Sequence, residues 1–290
     1  MDKLIINLTP TGMVPTKAKT PHIPITCSEI VEEVLEAWET GITIVHLHIR
    51  DEVTEEADYK KEVYARIIEG IRKYAPELIL CASTSGRKFN DFEKRADVLR
   101  LEGDLKPDMA SLTLSSLNFA TQASVNDPLM VTNLAKLMIE RGIKPELEAF
   151  DTGMVNYSRY LIKKGILKPP FYYNLLLGNI AGAQADVLHA GLMINEVPEG
   201  SMIALAGLGE NQLPVNSLAI AMGYGVRVGL EDNIWYDNAR TRLATNLELV
   251  NRVRNISQAQ GREIMTAAEL RERLKLKKGF GEYGVIEQDE

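Results

Sequence analysis

Two histidines sit one residue apart in Val45-His46-Leu47-His48-Ile49-Arg50-Asp51. In an extended strand alternate side chains share a face, so both imidazoles point one way and Leu47 and Ile49 the other. Two imidazoles at a strand end are ready ligands for Zn2+ or a similar ion. The competing reading is a pair of hydrogen-bonded core histidines. The chain holds only four histidines, so this spacing favours ligands, but the pair needs a third donor. A second group lies in Arg227-Val228-Gly229-Leu230-Glu231-Asp232, where Arg227, Gly229 and Glu231 share a face. Glu231 can coordinate metal, Arg227 can grip a substrate carboxylate in a fork, and Asp232 can move a proton. An internal Arg–Glu ion pair with Asp232 as a helix cap explains the same spacing.

Other segments offer weaker chemistry. Ser83-Thr84-Ser85-Gly86 could present hydroxyls and N–H groups to an anionic oxygen, or be an ordinary polar turn. Ser111, Thr113, Ser115 and Asn118 follow on one segment, and Glu146, Glu148 and Asp151 on another. The Glu146/Glu148 alternation is unusual in a buried strand, and predicts one carboxylate facing inward onto a basic partner such as Arg227. His22 and His189 have no ligand spacing, and Cys81 reads as an inert buried thiol.

Elements must bring these groups together. Apolar runs at 4–8, 42–49, 78–82, 109–114, 145–150, 172–177, 202–206 and 226–230 read as strands. Between and after them, helical patterns occupy a segment starting beyond Thr26, then 59–74, 91–101, 128–141, 155–167, 184–194, 215–222 and 245–258. Thr26 with Glu29, and Thr245 with Glu248, have capping-box spacing. Eight strand–helix units in ~250 residues predict an α/β fold of the (β/α)8 TIM-barrel type, with active-site groups at the C-terminal strand ends. A doubly wound sheet would carry a Gly-rich fingerprint after its first strand, and Thr11-Gly12-Met13-Val14 is not one. That tetrapeptide recurs as Thr152-Gly153-Met154-Val155, a hint of half-barrel duplication or a coincidence. No linker is visible, so residues 1–290 read as a single domain with a short C-terminal helix and tail over about 266–290.

Composition limits the partners. The 290 residues are 45% hydrophobic and 25% charged with a formal net charge of −7, a globular balance that argues against general nucleic-acid binding. No apolar run reaches the ~20 residues of a membrane span, and no signal-peptide pattern opens the chain. Two cysteines, Cys27 and Cys81, cannot build a disulfide framework, which fits a cytoplasmic protein.

His46-Leu47-His48-Ile49-Arg50, Ser83-Thr84-Ser85-Gly86, Pro107-Asp108-Met109-Ala110-Ser111-Leu112, Leu117-Asn118-Phe119 and Gly229-Leu230-Glu231-Asp232-Asn233-Ile234 together resemble the β-keto acid cleavage enzymes, as does Pro145-Glu146-Leu147-Glu148. The best-known member of that family is the 3-keto-5-aminohexanoate cleavage enzyme. The resemblance implies a (β/α)8 barrel, Zn2+ on His46, His48 and Glu231, a homotetramer, and conversion of a 3-oxoacid plus acetyl-CoA to acetoacetate plus a shortened acyl-CoA. It implies substrate contacts at Ser83, Gly86 and Ser111, Arg227 in the site and Asp232 as the base. Where the family has an acidic first-loop residue for an aminated substrate, this chain has Val14, which offers nothing to an ammonium group. Ser111 replaces a threonine and Ser85 a glycine. The expected substrate is therefore a neutral or otherwise substituted 3-oxoacid. Two other classes fit the residues alone: a zinc-dependent barrel hydrolase, which needs further His or Asp ligands, and a non-catalytic binding barrel.

Overall fold

The computed structural model describes residues 2–286. Eight parallel strands form a closed barrel: β1 (Ile6–Leu8), β2 (Ile44–Leu47), β3 (Ile79–Ala82), β4 (Met109–Thr113), β5 (Lys144–Ala149), β6 (Tyr172–Leu177), β7 (Met202–Gly207) and β8 (Gly225–Val228). Each pairs with its neighbours in chain order, and Ile6 of β1 pairs with Val226 of β8 to close the ring. Helices α1 (Cys27–Thr40), α2 (Lys61–Arg72), α3 (Phe92–Ala96), α4 (Pro128–Glu140), α5 (Thr152–Lys163), α6 (Val187–Glu196), α7 (Gln212–Met222) and α8 (Asn246–Ala259) surround it, and α9 (Ala267–Leu274) follows. The (β/α)8 barrel expected from the strand–helix rhythm is the fold observed.

Local chemistry explains the elements. Thr26 and Glu29 form the reciprocal capping box at the start of α1, and Gly41 closes that helix in the left-handed conformation (φ 106°). Helix α2 begins later than its pattern suggested, at Lys61, and its N-cap residue, Lys60, offers no side-chain cap. The Asp97 carboxylate, from the next connection, accepts from Lys61 N at 2.9 Å instead. That connection departs from expectation too. Residues 91–101 form the short α3 and then a 3-10 turn, Asp97–Arg100. Arg95 turns inward there and donates to Thr84 O and Asn126 Oδ1 (2.8 and 2.7 Å).

The tetrapeptide echo is not a structural repeat. Thr152 to Val155 opens α5, whereas Thr11 to Val14 is loop.

Most of the apolar core lies between strands and helices. The barrel interior is polar toward its C-terminal mouth, with Asn7, His46, Glu146, Glu148, Asn174 and Arg227 all buried. At the opposite end a smaller apolar cluster of Ile5, Ile44, Ile79, Met109 and Tyr172 meets Leu270 and Leu274 of α9, which floors the barrel. Expected to be a tail, residues 277–286 instead pack closely: Val285 N donates to Gly142 O at 2.8 Å and Ile286 N to Lys275 O at 2.9 Å. The last four residues of the expected tail, 287–290, lie outside the described residues.

Candidate active site

The site is assembled at the C-terminal mouth, and one close approach shapes it. β8 stops at Val228, two residues earlier than its apolar run predicts, because the chain crosses the end of β1. A Cβ on Gly229 would lie 2.1 Å from Thr9 O, so only glycine fits. Glu231 N then donates to Thr9 O at 3.1 Å, which folds Glu231 and Asp232 back over the barrel. Gln212 Nε2 holds Gly229 O (2.9 Å), and Asn246 Oδ1 accepts from Leu230 N (3.0 Å). Gly12 (φ 62°) packs against the other side, where a Cβ would meet Glu231 Cγ at 2.5 Å.

His46 and His48 project into the same space, as their alternation requires, with their Nε2 atoms 3.2 Å apart. His48 Nε2 lies 3.3 Å from Glu231 Oε1. One donor atom from each of His46, His48 and Glu231 falls within 4.8 Å of the other two. On the far side of His46, Nδ1 meets Glu146 Oε2 at 2.6 Å. That carboxylate also accepts from Asn7 Nδ2 (2.7 Å) and from the Cys81 thiol (3.2 Å). Burial pulls the His46 pKa down, but Glu146 outweighs it and lifts the value to about 9.

Arg227 is fully engaged. Its Nε meets Asp232 Oδ2 at 3.0 Å, Nη1 meets Glu148 Oε1 at 3.2 Å, and Nη2 meets Glu231 Oε1 at 2.7 Å and Asp232 Oδ1 at 3.2 Å. The guanidinium therefore orients protein carboxylates, and the fork is not open to a substrate carboxylate. Glu146 and Glu148 both face inward, not one of the two, each with its own basic partner. Burial raises the Asp232 pKa, with Arg227 offsetting only part of the rise. Burial acts the same way on Glu231, but Arg227 and His48 hold its carboxyl well below the usual range.

The donors fit a divalent cation. His46 Nδ1, given as a donor to Glu146, leaves Nε2 as a lone-pair ligand, the usual arrangement behind a metal-bound histidine. Glu231 Oε2 is buried with no hydrogen-bond partner. Three carboxylates, those of Glu148, Glu231 and Asp232, meet the one guanidinium of Arg227, and a cation would balance the excess.

A cavity of about 240 Å3 opens onto these groups. Ser83, Ser85, Met13 and Val14 line it with His46, His48, Glu231, Arg227 and Asp232. Arg50 fixes the first loop by donating to Gly12 O (3.0 Å) and Pro15 O (3.1 Å), which holds Met13 and Val14 in the wall. Gly86 and Ser111 do not join the lining. The Ser111 hydroxyl accepts from Thr84 N at 3.1 Å, and a Cβ on Gly86 would lie 2.4 Å from Val125 O; both stand behind the wall. His22 and His189 stand outside the cavity lining: His22 is exposed, and the half-buried His189 bonds Asp186 (2.7 Å). Sequence reasoning missed Arg87, whose guanidinium lies 3.9 Å above the Phe119 ring and whose buried Nε has no partner. Its signal was its place immediately after Ser83-Thr84-Ser85-Gly86. Also missed was the hairpin of Leu117–Asn118 and Ala123–Ser124, which carries Phe119 to the cavity.

The family described as beta-keto acid cleavage enzyme matches residues 3–276. The 3-keto-5-aminohexanoate cleavage enzyme of Fusobacterium nucleatum subsp. nucleatum is 39% identical over 281 residues, covering 96% of this chain and 100% of that one. The 3-oxoadipate:acetyl-CoA acetyltransferase of Cupriavidus necator is 36% identical over 276 residues, 94% of each chain. Among solved structures, the ternary complex of ObcA with a C4-CoA adduct and oxalate has the same fold, with a TM-score of 0.78 at 23% identity over 90% of this chain and 68% of that one. A family match along nearly the whole barrel, with relatives above 30% identity over almost their full lengths, makes this chain a member of the beta-keto acid cleavage enzymes.

Proposed function

We propose that the chain converts a 3-oxoacid and acetyl-CoA into acetoacetate and a shortened acyl-CoA, with a divalent ion held by His46, His48 and Glu231. The donor set, two imidazole nitrogens and a carboxylate oxygen, suits zinc. The observation that carries the reading is the meeting of those three side chains beside the Arg227–Asp232 pair. Bound there, the ion supplies a Lewis acid that stabilises negative charge on ketone and carboxylate oxygens.

The remaining work falls to the chain's own groups. Asp232 takes a proton from carbon 2 of the 3-oxoacid, and its burial makes it a stronger base than an exposed aspartate. Arg227 keeps that carboxylate aimed at the cavity. Ser83 donates from the wall to an oxyanion, a contribution often of about 3 kcal/mol per donor. Arg87 brings an unsatisfied Nε–H for a substrate carboxylate. In the overall exchange the bond between carbons 2 and 3 breaks, carbon 2 carries the new acetyl group, and the carbon-3 acyl group leaves as the thioester.

Met13 and Val14 put an apolar wall where an aminated substrate would need an acid, so the reading takes a 3-oxoacid without that ammonium group. It takes residues 1–290 as one domain, working in the cytoplasm as a homotetramer without nucleic-acid or membrane partners; light scattering on the purified protein checks the tetramer. No helix among the described residues is long and apolar enough to cross a membrane. The test of function is a screen of 3-oxoacids with acetyl-CoA, reading acetoacetate. Turnover without acetyl-CoA would point to the hydrolase instead, and equal rates on 3-oxo-5-aminohexanoate and a plain aliphatic 3-oxoacid would overturn the substrate reading.

A further inference from the structure

A second cavity, also of about 240 Å3, lies at the other end of the barrel. That is on the order of eight waters' worth of liquid. Lys144 opens β5 there, four residues and so roughly 13 Å of strand before Glu148 at the mouth. The walls are apolar, from Ile139, Ile143, Leu147, Leu167 and Phe171. Three lysines, Lys144, Lys168 and Lys275, join them, with no Asp or Glu among the described lining residues.

Lys144 is the informative one. Only 6% of it is exposed. One of its three N–H donors reaches Pro170 O at 3.1 Å, and no ion pair to a described carboxylate accompanies it. A buried ammonium without a counter-charge is unfavourable, and the neighbouring Lys275 adds repulsion. Burial and Lys275 together push Lys144 down to about 8, so at neutral pH it is still mostly charged. An anion between Lys144 and Lys275 would relieve both effects. The extensive apolar wall calls for a ligand with a hydrocarbon body, not an inorganic ion.

We propose that this cavity is a binding site for a small aliphatic monocarboxylate, its head group on Lys144 and Lys275 and its chain against Leu147, Leu167 and Phe171. The site is separate from the catalytic mouth and does not depend on the reaction assigned to it.

The experiment is calorimetric titration of the full chain with hexanoate, hexan-1-ol and inorganic phosphate. Hexanoate is expected to bind one site per chain, at least tenfold tighter than either control. Lys144→Met and Lys275→Asn should each weaken it at least tenfold; asparagine tolerates the left-handed backbone of residue 275 (φ 55°). Lys275 is exposed, so its variant keeps the test sound if Lys144→Met folds poorly. Turnover at the mouth should be unchanged in Lys275→Asn. Hexanoate binding should also survive His46→Ala, which disables the other cavity. Binding lost in His46→Ala, binding no tighter than hexan-1-ol or phosphate, or wild-type affinity in Lys275→Asn would each overturn the proposal.

Discussion

Replacing Glu146 by Gln tests whether the carboxylate behind His46 tunes the metal site. In the native protein Glu146 Oε2 accepts from His46 Nδ1 and the Cys81 thiol, while Oε1 accepts from Asn7 Nδ2. Glutamine turns one oxygen into a donor. If its carbonyl faces His46, its NH2 faces Asn7. Asn7 can answer that clash by flipping its amide, since Asn7 Oδ1 is buried without a partner and the flip would present it to the new NH2. The Tyr172 hydroxyl, 3.3 Å from Asn7 Nδ2, can turn its proton to suit. The fold should therefore survive, and the variant isolates the loss of negative charge behind the imidazole. Such partners are typically worth 10–100-fold in metal affinity, or about 1.4–2.8 kcal/mol. The assay is competition for Zn2+ against a chromophoric chelator at fixed pH, with circular dichroism to confirm native structure. An affinity within threefold of wild type in a folded variant would refute the reasoning, and so would a Glu146→Ala protein that binds zinc as tightly as Glu146→Gln.

Removing His46 with Ala should abolish zinc content and turnover together, read by elemental analysis and acetoacetate formation. Asp232→Asn should keep its zinc yet lose about 10²–10⁴-fold in kcat; wild-type rates would remove Asp232 from its role. Val14→Glu should raise the rate ratio of 3-oxo-5-aminohexanoate to an unsubstituted 3-oxoacid at least tenfold, and an unchanged ratio would clear residue 14 of any part in selection. At the barrel floor, Arg271 meets both oxygens of the buried Asp108 at 2.8 and 2.9 Å. Arg271→Met should cost about 3–5 kcal/mol and lower Tm by on the order of ten degrees; a shift under 2 °C by calorimetry would count against it.

The barrel was legible because most strands carry an apolar run and the helices follow a simple periodicity. Side-chain direction was legible where alternation decides it: His46 and His48 share a face, the alternation carrying one residue past Leu47, where β2 ends. Gly229 and Glu231 were placed together for the wrong reason, since the strand ends before them and contact with Thr9 sets their direction. Pairings between strands were harder. Spacing suggested Arg227 for one glutamate, but could not show that Glu146 would find His46, 100 residues away. The hairpin after β4 was invisible, being four paired residues long, too short for any periodic signal. Arg87 was missed because an arginine in a polar loop looks like every other solvated arginine until the fold lays it over Phe119.

The floor of the barrel has a consequence for how the molecule is made. Asp108, at the entry to β4, takes its two shortest arginine contacts from Arg271, 163 positions later. At roughly 5–20 residues per second on the ribosome, about 10–30 s pass between the two. During that interval Arg72, already made and 3.4 Å from the same carboxylate in the finished protein, is a partner for it. The growing chain thus carries an unsealed base until the closing helix arrives.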